Sequence, residues 1–303
     1  MDIDALNAEY GIDGTLRLRE GRGGLTMIEI ENALATALIS LHGGQVLSYR
    51  PYAAGSDLLF VGERARFEPG QEIKGGIPVC WPWFGQDPER RGRPIHGFAR
   101  LRTWTLLSTV SLPNGATRVV LGVADDSETR ALWPYYFNLL TEITVGAALG
   151  VELIARNAGD APFRITQGLH SYFRVGDSAA VRVLGLEGCR YIDKAMGAGD
   201  AIRLQEGPAT VSGEVNRIYE QVPPLLVLED PALGRRIRIA TRHSATCVVW
   251  NPGPERIRTF PDLGERDYRD MLCVETVNAA SEVIEVPGGG EARLAADYGI
   301  DPL

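Results

Sequence analysis

The chain has 303 residues, 45% hydrophobic and 23% charged, the balance of a water-soluble globular protein with enough apolar matter for a sizeable core. A net charge of −8 excludes general affinity for nucleic acid or anionic membranes, so an anionic substrate would need a local basic pocket. The acidic start Met1-Asp2-Ile3-Asp4 lacks a basic n-region and an apolar h-region, and no run of 18 apolar residues occurs, which points to a cytoplasmic protein without a membrane span.

In chain order, residues 1–23 are polar and glycine-containing, with one short helical turn expected over 5–10. From Leu25 the pattern becomes alternation: residues 25–31, 34–41 and 45–49 read as strands, with His42-Gly43-Gly44 as a turn. The same texture returns at 102–110, 118–123, 136–145, 151–156, 180–186, 225–228, 236–241, 246–250, 271–277 and 282–286. More than a dozen short strands without long amphipathic helices between them exclude a parallel α/β sheet, whose crossovers each need a dozen residues or more. The expected fold is all-β, a large antiparallel sandwich. The 35 glycines and 18 prolines are spread along the chain and form no linker, so residues 1–303 are expected to make one domain. Tyr10-Gly11-Ile12-Asp13 recurs as Tyr298-Gly299-Ile300-Asp301, but the flanks do not extend the match and the recurrence reads as coincidence.

Two segments break the strand texture. Residues 64–100 contain Lys74-Gly75-Gly76-Ile77-Pro78, Trp81-Pro82-Trp83-Phe84-Gly85 and His96-Gly97-Phe98-Ala99-Arg100, and their aromatic density argues for an ordered, functional loop. Residues 251–270 carry Pro252, Pro254 and Pro261 with several charges and lead straight into Met271. Both are expected to border a pocket.

Within the strands, His170 and Glu275 are the residue types for moving a proton on and off a substrate without a metal: imidazole titrates near neutrality and a carboxylate can serve as base. Each also has a plainer reading. A strand histidine can be a hydrogen-bonded structural residue, and alternation lets Glu275 face either the interior or solvent. Lys74 before two glycines is a candidate anion contact, and Arg100 with Arg90, Arg91 and Arg93 makes the segment locally basic, as a phosphate would require. Trp81, Trp83 and Phe84 can stack on a sugar ring or fill core. Cys80, Cys189, Cys247 and Cys273 show no CxxC or Cys/His spacing, which suggests free buried thiols and neither a zinc site nor a disulfide framework. No GxSxG nucleophile elbow and no GxGxxG or GxxxxGK[ST] phosphate loop is present.

Six motifs in order, the three of the 64–100 segment followed by His170-Ser171-Tyr172-Phe173, Val249-Trp250-Asn251-Pro252 and Cys273-Val274-Glu275, resemble the glucose-6-phosphate 1-epimerase (D-hexose-6-phosphate mutarotase) branch of the aldose 1-epimerase superfamily, over roughly residues 25–295. The resemblance implies a β-supersandwich of the galactose mutarotase type, working without a cofactor on a small-molecule sugar phosphate; a monomer is the default expectation. It implies His170 as the general acid that protonates the pyranose ring oxygen and Glu275 as the general base on the anomeric hydroxyl. It further implies substrate contacts from Lys74, His96, Arg100 and Asp193. Two positions depart from the branch: Lys74 stands where relatives often carry arginine, and Ile95 where some carry glutamine. An aldose 1-epimerase of unphosphorylated sugars and a non-catalytic sugar-phosphate binder on the same scaffold are the alternatives.

Overall fold

The computed structural model of the protein describes residues 2–303. The alternation read from the sequence becomes pleated strands with one buried face: in Phe137–Val145 every second side chain is buried. Among the described residues the strands form sheets of four, eight and nine strands and a two-stranded ribbon, all paired antiparallel. The nine-stranded sheet runs Ala209–Thr210, Arg182–Leu184, Leu225–Asp230, Arg235–Arg242, Glu291–Pro302, Leu149–Asn157, Phe137–Val145, Thr117–Ala124, Thr105–Ser111. The eight-stranded sheet runs Ala201–Leu204, Arg190–Asp193, Val215–Glu220, Thr246–Asn251, Met271–Asn278, Gln167–Leu169, Val79–Cys80, with Tyr172–Arg174 also paired to Met271–Asn278. The expected all-β antiparallel sandwich is therefore the fold.

The two large sheets share one apolar core. Leu169, Phe173, Tyr219, Val249 and Val274 of the first meet Leu153, Ile237, Leu294 and Tyr298 of the second. Ser171 hydrogen-bonds Tyr298 across that interface, hydroxyl to hydroxyl at 2.6 Å. The four-stranded meander from Leu16 to Pro51 packs on the nine-stranded sheet, where Tyr49 donates to the Gly146 carbonyl at 2.8 Å and Asn32 to that of Val145 at 2.9 Å.

Several strands escaped sequence reading for identifiable reasons. Glu291–Pro302 lies inside the nine-stranded sheet, and Leu294, Ala295, Ala296 and Tyr298 are all buried, so no alternation survives. Leu16–Glu20 alternates buried leucine with arginine, but over only five residues. The N-terminal helix spans Ile3–Tyr10, two residues longer than expected, capped by Asp2. Tyr10 ends that helix whereas Tyr298 lies in a strand, so their similar tetrapeptides hold different structures.

Candidate active site

The site is assembled by strand register. Leu169 pairs with Thr276 and Tyr172 with Cys273, which sets His170 directly opposite Glu275 on the neighbouring antiparallel strand, although about 100 residues separate them in sequence. His170 Nδ1 lies 3.4 Å from Glu275 Oε2. Both side chains are buried, at 7% and 2% exposure, and neither of these two atoms has a hydrogen-bond partner within the protein. Alternation also decides the face. Met271, Cys273, Glu275 and Val277 point away from the main core, toward a second apolar cluster with Phe60, Tyr172, Trp250 and Leu263. Glu275 thus takes the inward-facing alternative, in a layer covered by the two loop segments.

The His170 ring is fixed by aromatic contacts. Tyr172 stacks on it at 4.7 Å with an interplanar angle of 11°, and Trp250 and His96 meet it edge to face at 6.1 and 5.4 Å. Phe84 packs on His96 at 4.7 Å, seated over Gly168, where a β-carbon would come within 2.8 Å of that ring. Of the three loop aromatics, Trp81 and Trp83 fill core and half-buried Phe84 borders the site. His96 has a left-handed backbone (φ 64°), held by hydrogen bonds from its N–H to the Gly85 carbonyl at 2.7 Å and from the Trp81 N–H to its own carbonyl at 3.2 Å. Its Nδ1 accepts from the Gly85 N–H at 3.2 Å, which puts the ring proton on Nε2.

Lys74 and Arg100 come together, and the residue that joins them is Glu72. Lys74 Nζ lies 2.6 Å from Glu72 Oε1, and Arg100 pairs with Glu72 Oε2. Asp262, from the second loop, stands 3.7 Å from Lys74, and Arg100 also donates to the Ile95 carbonyl at 2.9 Å. Position 95 therefore contributes through its backbone. Two formal positive and two formal negative charges balance in this cluster. Glu72 and Asp262 lie in aperiodic loops, where nothing in the sequence marks them. The glycines after Lys74 serve the scaffold: a β-carbon at Gly75 would sit 2.4 Å from Val61 Cα, and at Gly76 2.1 Å from the Val46 carbonyl.

Asp193 does not join the site. Register pairs it with Arg217, Arg217 with Val249 and Val249 with Val274, so Asp193 lies on the opposite face from Glu275. It is also three strands out, about 14 Å at the usual strand spacing, where it pairs with Arg203 at 3.3 Å. Two of the loop arginines are likewise committed elsewhere. Buried Arg93 pairs with Asp87, lies over the Trp83 ring at 4.3 Å and donates to the Leu132 carbonyl, and Arg91 pairs with Glu89. What those segments needed was an anchor the motifs supply. Asn251 donates to the Tyr268 and Met271 carbonyls at 2.7 and 2.8 Å and accepts from the Gly253 N–H, tying both ends of the second loop together. Asp267 then accepts from the Glu63 and Gly264 N–H groups, joining that loop to the first.

Burial sets the electrostatics. It lowers the pKa of His170 to about 3, with the charges of Arg100 and Lys74 adding to the shift, and it pushes Glu275 well above the carboxylate range against the pull of Arg100. His96 is lowered by burial and then by Arg100, His170 and Lys74. Glu72 is opposed by burial, yet Arg100 and Lys74 more than offset it and hold the carboxyl below its ordinary value. The empty site therefore favours one proton on the pair, held by Glu275 beside a neutral imidazole. Such a pair can accept a proton at one atom and deliver one at another. All four cysteines are free; Cys80, Cys247 and Cys273 are buried as expected, whereas Cys189 is only half-buried, and the fold makes a cluster that no sequence spacing announced: one ligand atom each from His170, Cys273 and Glu275 lie within 4.8 Å of one another.

Comparison with known proteins agrees with this architecture. The aldose 1-epimerase family profile matches residues 26–294. An Escherichia coli K12 protein, whose name glucose-6-phosphate 1-epimerase is itself provisional, is 35% identical over 271 residues, covering 89% of each chain. A Cenchrus ciliaris protein of the same provisional name is 32% identical, covering 83% of this chain and 78% of its own. The crystal structure of a provisionally assigned mutarotase from Salmonella typhimurium superposes with a TM-score of 0.89 at 32% identity, covering 97% of this chain and 96% of that one.

Proposed function

The chain belongs to the aldose 1-epimerase family and is an isomerase of the mutarotase type, and on that premise we propose that it interconverts the α and β anomers of hexose 6-phosphates, glucose 6-phosphate foremost. The observation that carries the mechanism is the buried His170/Glu275 pair, 3.4 Å apart, with both facing atoms free of other partners.

In ring opening, Glu275 takes the proton of the anomeric hydroxyl, C1–O1 becomes a carbonyl, the C1–O5 bond breaks, and O5 takes a proton from His170. The enzyme is left with a protonated carboxyl and a neutral imidazole. Rotation about C1–C2 then turns either face of the aldehyde to O5. Closure reverses the roles: Glu275 returns a proton to O1 while His170 removes the one on O5. The two halves restore the starting protonation state, so the cycle needs no net proton from solvent. Desolvation favours the neutral pair, the form that closes the ring. Before the next opening the single proton has to move from Glu275 to His170, whose facing atoms stand 3.4 Å apart.

Lys74 and Arg100 supply the positive charge for a 6-phosphate, with Arg100 able to present a two-pronged donor and Lys74 a point charge. Because Glu72 already occupies both cations, a phosphate must displace its carboxylate. The same charge balance favours a second reading, in which the Lys74–Glu72–Arg100–Asp262 lattice hydrogen-bonds the hydroxyls of an unphosphorylated aldose. Exchange NMR on the anomers of glucose and glucose 6-phosphate decides between the two substrates. Run with His170→Ala and Glu275→Gln it also tests the mechanism: loss of about 10²–10⁴-fold is expected of each, and a Glu275→Gln enzyme at full rate would refute the assigned base.

A further inference from the structure

We propose that His170, Cys273 and Glu275 form an inhibitory binding site for a thiophilic divalent cation such as Zn²⁺. The argument begins with strand geometry. Cys273 and Glu275 are two residues apart on one strand and share a face, and His170 stands across from Glu275 on the next. An imidazole nitrogen, a thiol and a carboxylate are thereby brought within 4.8 Å of one another, all three buried. These are the donor types that zinc prefers.

The distances and charges suit such an ion. Nitrogen and oxygen ligands of tetrahedral zinc sit about 3.4 Å apart, given bonds of roughly 2.0–2.2 Å, and His170 Nδ1 and Glu275 Oε2 are 3.4 Å apart. Both atoms lack a hydrogen-bond partner, so their lone pairs are uncommitted. The Cys273 sulfur completes the cluster, with the three ligand atoms within 4.8 Å of one another. A thiolate and a carboxylate cancel the charge of a divalent ion, and neutral imidazole adds none, so the complex places no net charge in a buried layer. Three protein ligands leave a fourth position for water or a substrate oxygen.

The expected consequence is inhibition, because the ion occupies the carboxylate that serves as base and ties the acid to it. That part rests on the mutarotase mechanism, whereas binding itself does not. The test uses the full-length enzyme stripped with EDTA and titrated with Cd²⁺, following the ultraviolet cadmium–thiolate charge-transfer band alongside anomer exchange, with Zn²⁺ added to displace the band. Expected are a band that saturates at one equivalent, exchange lost with the same midpoint, and a midpoint raised by saturating sugar. Cys273→Ser should lose the band and raise the inhibition midpoint at least tenfold while keeping basal exchange. Cys273→Ala gives the same reading if the serine variant does not fold. Absence of a band in the wild type overturns the proposal. So does a band that survives Cys273 substitution, or one that follows Cys80, the buried thiol on a nearby strand. A wild type that binds cadmium but accelerates exchange of no sugar would instead sink the catalytic reading and leave the metal site standing.

Discussion

At the scale of single residues, the buried pair makes the pH dependence diagnostic. The proposed mechanism needs one proton on the pair. An unperturbed glutamate (4.5) and imidazole (6.5) would hold a single proton only between those values. With His170 lowered to about 3 and Glu275 raised, the singly protonated form extends beyond both limits. Metal-free enzyme should therefore show a flat exchange rate across pH 4.5–6.5, with its limbs outside; a bell confined to that window would contradict the shifts. Stability follows the same groups with worked signs. The raised Glu275 contributes stability that is fully present below about 4.5 and is lost as pH rises, whereas the depressed His170 contributes stability present above about 6.5 and lost as pH falls. Glu275→Gln should accordingly gain melting temperature over the wild type increasingly between pH 5 and 8. Glu72 offers a third test. Removing its charge in Glu72→Gln should lower KM for glucose 6-phosphate by about tenfold, equivalent to ~1.4 kcal/mol, while changing that for glucose by less than about twofold; a rise in KM for the phosphate would show that Glu72 does not compete with it.

At the scale of elements, the strand carrying Glu275 is rigid because it is paired on both sides, and the mobile risk lies in the loops that cover it. Asn251 holds the second loop through three hydrogen bonds, two donated and one accepted. Asn251→Ala leaves the Tyr268 and Met271 carbonyls without that donor, which costs about 1–3 kcal/mol. Hydrogen exchange should then speed up across residues 252–270, and KM should rise more than kcat falls, since Asp262 and Phe260 reach Lys74, a proposed substrate contact, from that loop. Uniform exchange in the variant would rule out the anchoring role. The Lys74-Gly75-Gly76 motif reads from the sequence as a candidate anion contact, and the structure adds what its glycines do there: they admit the neighbouring backbone at Val61 and Val46.

At the scale of the whole molecule, two sheets meet in one core, and the site sits on the far face of one of them. Ser171 joins the layers directly behind the pair, since its neighbours His170 and Tyr172 point to the site while its own hydroxyl meets Tyr298. Tyr298→Phe leaves that hydroxyl only its long contact to the Leu169 carbonyl at 3.4 Å and should cost about 1–2 kcal/mol in urea unfolding, with exchange activity falling less than for His170→Ala or Glu275→Gln. The amino-acid sequence by itself determined the fold class, because alternation, turn residues and the absence of long amphipathic helices are local properties. It also marked His170, Glu275, Lys74, His96 and Arg100 as candidates through motif order. It did not determine which of them meet. The opposition of His170 and Glu275 is a matter of register between strands distant in sequence, and the same register sends Asp193 to the other face. Glu72, Asp262 and the Cys273 cluster were invisible beforehand because loop conformation and cross-strand pairing, both products of tertiary packing, bring their atoms within reach.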